Sequence, residues 1–240
     1  MQFIQSFAEA FLQLLVIGLL ILLTGYSLKH KDQRFLIVFC LLFLLDAIIV
    51  GSLNISVVAG QKWNWIGKSG SLLWIVIFIF TTRLLTKKDV GWTLSIINPK
   101  GVLIIIAVIL FGRLAIRLFF QGFNSGYNIE TFIYEATLPG IAEEIVFRGI
   151  LLGLLNKVFL KRWIVLRTFF GKGLIVTSIL FGLVHGLSLN RSWIPDLNSQ
   201  RFIMTGAMGF AFGIVKEKSK SLIPGILFHN LWNIIAYWGK

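Results

Sequence analysis

The chain has 240 residues; 57% are hydrophobic, only 14% are charged, and the net charge is +13. A soluble domain carries roughly 25% charged residues, and here the apolar residues run on in long unbroken stretches, which argues against a soluble fold. The basic residues cluster between those stretches, which reads as topology signalling and contact with anionic lipid rather than nucleic-acid binding.

A bilayer core takes about 20 apolar helical residues to cross, and only helices or closed barrels satisfy their own backbone there. The expected fold class is all-α, a polytopic transmembrane helix bundle of about eight spans. The N-terminal stretch lacks the basic start of a secretory signal and reads as the first span, Ser6–Leu28. Phe35–Val58 follows, with the single cysteine, Cys40, inside it, then the short Ser71–Leu85 and Val102–Phe120. The second half holds Phe132–Phe159, Gly173–Leu189, the short Phe202–Val215 and Leu222–Trp238. Residues 1–131 are expected to form N-terminal spans and an interfacial loop, and 132–240 a core of four spans, within one continuous membrane domain. The loop carries Trp92 and a turn at Asn98-Pro99.

Basic residues alternate with this span count. The odd-numbered connections hold Lys29, Lys31, Arg34, then Arg83, Lys87, Lys88, Lys100, then Lys157, Lys161, Arg162, Arg167, Lys172, and finally Lys216, Lys218, Lys220. Against these stand Lys62, Lys68, Arg191, Arg201 and Lys240. The positive-inside rule then places the odd connections in the cytoplasm and both termini outside.

Charges inside spans are costly, about 2.5–3.5 kcal/mol each at mid-span, so each calls for a partner or a purpose. The fifth span is the densest case, with Glu143, Glu144 and Arg148 in an otherwise apolar helix. Arg148 lies four residues after Glu144, on the same face, and is expected to pair with it. Glu143 points about 100° away and is left free, which suits a general base or acid. A structural staple explains two of these charges but not the third. Asp46 and Arg113 lie at similar depth and are expected to pair with each other; Arg117 reads as facing the interior or snorkelling outward. Trp63, Trp65 and Trp193 read as an interfacial belt.

Two of the three histidines fall in spans. His30 reads as solvated in a basic connection, whereas His185 lies near the outer end of the sixth span. His229 lies in the eighth and shares a face with Asn233, four residues on. By the topology above, Glu143, His185 and Asn233 fall in the same leaflet.

At these residues the sequence resembles the CPBP intramembrane proteases, the CAAX-prenyl-protein endopeptidases and bacteriocin-processing relatives also called the Abi family. The pattern EExxxR reads Glu143-Glu144 to Arg148, FxxxH reads Phe181 to His185, and HxxxN reads His229 to Asn233. The resemblance covers about Phe132–Trp238 and implies peptide-bond hydrolysis within the cell membrane. It implies that Glu143 and His185 activate a water, that His229 and Asn233 support the oxyanion, and that Glu144 and Arg148 hold the helix. A divalent metal such as zinc would take Glu143, His185 and His229 as ligands, but the motif is no HExxH and a metal-free site is favoured. The expected partners are a membrane-associated peptide or protein substrate and the lipid bilayer, with no nucleic acid. Two other classes compete: a membrane scaffold or bacteriocin self-immunity protein without catalysis, and a small proton-coupled transporter.

Overall fold

A computed structural model describes residues 2–23, 30–54, 60–122, 128–160, 162–165 and 168–238, with the side chains of 30, 31, 121, 162 and 165 apart. The far ends of the first two predicted spans, at Leu28 and Val58, and the charges Lys29, Lys161, Arg167 and Lys240 lie outside the described residues, as do the side chains of His30, Lys31 and Arg162.

The chain begins with two long apolar helices, α1 (Gln2–Leu23) and α2 (His30–Ser52). The third, α3 (Trp65–Thr81), starts six residues before its predicted Ser71, because Asn64 caps it by accepting from the Gly67 amide at 2.9 Å. The amphipathic connection then folds into the short α4 (Lys87–Val90), where Thr86 and Asp89 form a reciprocal capping box. Gly91 closes it in the left-handed conformation that glycine adopts freely. The predicted turn at Asn98-Pro99 is the N-terminus of α5 (Pro99–Gln121), with Asn98 as cap and Pro99 in the first turn.

The fifth predicted span is not one straight helix. It divides into α6 (Ile129–Glu135), α7 (Leu138–Glu143), a π-helix over Glu144–Leu151, and α8 (Leu152–Val158). The interruption falls at Ala136-Thr137, just ahead of Pro139, which tolerates the first turn of a helix but not the middle. All eight residues of the π-helix are buried. Its apolar members Ile145, Val146, Phe147, Ile150 and Leu151 pack with Phe39, Phe43 and Trp74 of the N-terminal helices into the main core.

Two antiparallel hairpins correct the all-α expectation. Strands β1 (Arg162–Val165) and β2 (Thr168–Gly171) pair in the fifth connection. Between them and the second hairpin runs α9 (Lys172–Gly186). Strand β3 (Leu187–Leu189) takes the residues predicted to end the sixth span and pairs with β4 (Pro195–Leu197) beyond it. The fold ends with α10 (Ser199–Ser219), longer than predicted at both ends, and α11 (Ile223–Tyr237).

Helices α9 and α10 pack most closely of all. A Cβ on Gly182 would come within 2.7 Å of the Phe202 carbonyl oxygen, and one on Gly186 within 2.9 Å of the Phe202 Cα. The two glycines form a small-xxx-small seam, the device that lets helices approach where lipid offers no hydrophobic drive. From the other side, Glu9 of α1 accepts the Leu189 amide at 2.9 Å and so ties α1 to β3.

The structure is mostly helical, and three of its helices are long and apolar enough to cross a membrane: Gln2–Leu23, Asp32–Ser52 and Pro99–Phe120. Trp65–Thr81 and Lys172–Gly186 are shorter apolar helices. Large apolar side chains such as Leu19, Phe80, Leu103 and Phe111 point outward, as they do where lipid is the solvent.

The expected pairing of Asp46 with Arg113 does not hold. Asp46 accepts from Ser71 Oγ and from Trp74 Nε1 instead of pairing with Arg113. Arg113 lies over the Trp232 ring, 4.7 Å from its centroid. Arg117 turns inward, where it is buried and donates to the Ile235 and Ala236 carbonyls at the end of α11. Trp63 and Trp65 donate to Thr131 and Glu130 and pack on Tyr134. Trp193 is exposed in the turn between β3 and β4.

Candidate active site

The expected Glu144–Arg148 pair forms, with Arg148 Nη1 at 3.2 Å from Glu144 Oε1. Both side chains are completely withdrawn from solvent. Arg148 also lies over the rings of Phe181 and Phe212, at 4.3 and 5.3 Å from their centroids, an arrangement that stabilises a desolvated guanidinium. The same Glu144 oxygen faces His229 Nδ1 at 2.9 Å. A carboxylate paired with arginine only accepts, so His229 carries its proton on Nδ1 and donates it there. The Phe212 ring stacks on the imidazole at 4.5 Å. Glu144 and Phe212 thereby fix the orientation of His229, leaving Nε2 directed elsewhere.

That direction is Glu143. His229 Nε2 lies 3.8 Å from Glu143 Oε2, and His185 Nε2 lies 3.9 Å from the same oxygen. His185 Nδ1 is 2.9 Å from the Phe181 carbonyl, one turn back on α9. A carbonyl accepts only, so His185 is protonated at Nδ1 and, when neutral, holds its lone pair on Nε2. Three side chains from the end of α7, from α9 and from α11 therefore converge on one point. Glu143 and His185, expected at one depth, stand 3.9 Å apart.

Glu143 is not free, contrary to the sequence expectation. Its other oxygen, Oε1, accepts from the Lys68 ammonium at 2.6 Å. Lys68 comes from the first turn of α3 and had been assigned to a connection. A lysine at the fourth residue of an apolar helix, between Gly67 and Gly70, was the signal that it points inward.

Asn233 lies one turn beyond His229 and lines the same cavity as Glu135, a buried residue of α6 that the motifs do not contain. Asn230, also outside the motifs, accepts the Gly140 amide at 3.0 Å and joins α11 to α7.

Glu143 and His185 lie between two cavities. One, of about 460 Å³, is also lined by Glu135, His229, Asn233, Arg113 and Arg201. The other, of about 230 Å³, lies toward α1 and α2 and is also lined by Glu9, Asp46 and Lys68. All six motif residues, Glu143, Glu144, Arg148, His185, His229 and Asn233, thus form one constellation: four at the larger cavity, and two buried behind it as the support of His229.

Residues 124–235 match the Rce1-like family, the type II CAAX prenyl endopeptidases. This agrees with the CPBP and CAAX-protease resemblance of the three motifs, all of which lie in the matched segment. No curated protein and no solved structure matches the chain. The matched segment holds every motif residue, and Lys68, Asp46 and Arg113 reach the two cavities from upstream of it.

Proposed function

We propose that the protein is a multi-pass intramembrane endopeptidase of the cell membrane that hydrolyses a peptide bond in a membrane-associated peptide or protein precursor. One observation carries the reading: the Nε2 atoms of two histidines face a single carboxylate oxygen, Glu143 Oε2, at 3.8 and 3.9 Å on a cavity wall. Such separations are too long for direct hydrogen bonds and suit one bridging water.

In this reading the water donates to Glu143 Oε2 and to His185 Nε2, which aims its oxygen into the cavity. As the oxygen attacks the scissile carbonyl carbon, Glu143 takes one proton. The carbonyl electrons move onto oxygen, and that oxyanion accepts from the Asn233 amide and from His229 Nε2–H. Donation by both nitrogens of His229 requires the imidazolium, which Glu144 stabilises from behind. Collapse of the intermediate breaks the C–N bond, and Glu143 returns the proton to the departing amine. Lys68 holds Glu143 by its opposite oxygen, so that Oε2 stays aimed at the histidines.

Glu143, His185 and His229 are also the donors a zinc ion would need. The Lys68 ammonium on Glu143 works against a dication there, which supports activation of water by side chains alone. The wider proposal keeps about eight spans with both termini outside, one membrane domain with its catalytic core in 132–240, and a cavity opening outward beside Trp63, Arg201 and Tyr237.

The test is cleavage of membrane-presented peptides by purified protein in detergent, wild type against Glu143→Ala and His185→Ala, with and without chelator. Wild type should cleave in both conditions, and the two variants should fold but not cleave. Cleavage by Glu143→Ala at the wild-type rate would sink the proposal, and its rescue of a cellular phenotype would favour the scaffold reading.

A further inference from the structure

The connection between α3 and α5 has no task in the hydrolysis described above, yet it is strapped across one end of the catalytic helices. Val90 of α4 is buried, and a Cβ on Gly149 of the π-helix would come within 3.0 Å of its Cγ1. The Gly91 carbonyl accepts the Leu222 amide at 3.0 Å, and the Ile97 amide donates to the Ser219 carbonyl at 2.8 Å. Ser221 Oγ donates to the Thr93 carbonyl at 2.7 Å. The strap therefore rests on the π-helix that carries Glu144 and Arg148, and on the turn that leads into α11 with His229 and Asn233.

Among the described residues nothing covers its outward side. Trp92, Leu94 and Ile97 are 49%, 86% and 58% exposed, and a cluster of exposed apolar side chains marks an interaction surface. Arg83, Lys87, Lys88 and Lys100 flank it, all of them exposed, and among the described residues none of the four forms an ion pair. The acid of the connection, Asp89, is already held by Lys157 Nζ and by Thr86 Oγ1, both at 2.8 Å. The surface is thus apolar and basic at once. It ends where α5 begins, and α5 is long and apolar enough to cross a membrane. An indole beside the end of a span sits at headgroup level, and uncompensated lysines there attract anionic headgroups.

We propose that the strap is a binding surface for anionic phospholipid, and that lipid held there braces the π-helix. Trp92 and its apolar neighbours enter the headgroup layer, while Lys87 and Lys88 take the phosphates. A ligand that binds only the docked strap stabilises the docked strap, and Val90 passes that restraint to Gly149. The proposal depends neither on the hydrolysis nor on the side of the membrane to which this end of the bundle points.

The test uses full-length protein in phosphatidylcholine nanodiscs that carry an equal fraction of either brominated phosphatidylglycerol or brominated phosphatidylcholine. Bromine quenches nearby indoles, and the share due to Trp92 is the difference between wild type and Trp92→Phe. That share should be at least about twofold larger with the brominated phosphatidylglycerol. Lys87→Ser/Lys88→Ser should lose the excess. Lys62→Ser/Arg191→Ser, which removes the same charge at exposed positions away from the strap, should keep it. The Tm of wild type should be at least about 2 °C higher with phosphatidylglycerol present, a shift that Lys87→Ser/Lys88→Ser should lose. Equal quenching of wild type by the two lipids overturns the proposal whether or not the variants fold. So does an excess that survives in Lys87→Ser/Lys88→Ser or disappears in Lys62→Ser/Arg191→Ser. Absence of any Trp92-dependent quenching also overturns it and leaves the strap to a soluble partner. Selective quenching with an unchanged Tm overturns the bracing of the π-helix.

Discussion

Replacing Arg148 by methionine removes one half of an ion pair that has no access to solvent: Arg148 is 1% exposed and Glu144 0%. Losing one partner of such a pair costs about 3–5 kcal/mol, because the other charge is left buried and uncompensated. Here the lower end applies. The charges approach to 3.2 Å, yet neither Arg148 Nη nor Glu144 Oε2 makes a hydrogen bond, so the attraction is Coulombic with support from the Phe181 and Phe212 rings. A loss of about 3 kcal/mol in a chain of this length lowers Tm by roughly 6–12 °C. The double variant Glu144→Gln/Arg148→Met leaves neither member of the pair charged and should recover most of that stability, since replacing both partners is often close to neutral. It should nevertheless cleave poorly, because His229 loses the anion that orients it and stabilises its imidazolium. Thermal unfolding of the purified single and double variants, together with their cleavage rates, completes the cycle. Single variants that melt with the wild type, or losses that add in the double variant, would refute the reasoning.

Lys68→Met should lower kcat at least about tenfold with little change in KM, because Lys68 touches Glu143 and not the substrate, whereas Lys68→Arg should restore part of the rate; equal rates for all three would remove Lys68 from the site. Gly140→Ala drives a methyl group into Asn230 Oδ1, which accepts the Gly140 amide, and should cost about 1–3 kcal/mol of stability, read as lower Tm and abundance. Glu217 lies at the cytoplasmic end of α10 in the proposed topology, where burial alone would raise its carboxyl. Lys216 and Lys220 outweigh burial and hold it at about 2, below the ordinary 4.5. Its contribution to stability is therefore complete above about pH 4.5 and fades as pH falls toward 2. Glu217→Gln should flatten the acid limb of a Tm-against-pH curve, and an unchanged limb would show that the cluster is not coupled to folding.

Local spacing carried the part of the site that lies on single helices. The Glu144–Arg148 pair followed from a four-residue interval, and the motifs picked out the two histidines that meet Glu143. What spacing could not give was direction around the helix axis relative to other helices. Asp46 and Arg113 shared a depth but face different neighbours, and depth alone does not choose between them. Lys68 was misplaced for a related reason: a charge close to a span end serves equally well as a topology signal or as an inward-facing ligand. The hairpin at Arg162–Gly171 had a weak signal in its β-branched and aromatic run, which the surrounding basic residues disguised. The π-helix at Glu144–Leu151 left no sequence signature beyond the buried charges it carries.

The glycine seam between α9 and α10 bears on how the site ages under mutation. His185 sits between Gly182 and Gly186, whose backbones rest on the main chain and the side chain of Phe202. The height and tilt of its imidazole are thus set by a close approach that includes the Phe202 main chain, which has no rotamers with which to absorb an error. A single added methyl at either glycine would wedge α9 outward and carry His185 away from Glu143, while every reactive group stayed chemically intact. Inactivating drift in this protein would then leave its motifs perfectly legible, and the damage would be written in the residues that hold no chemistry at all.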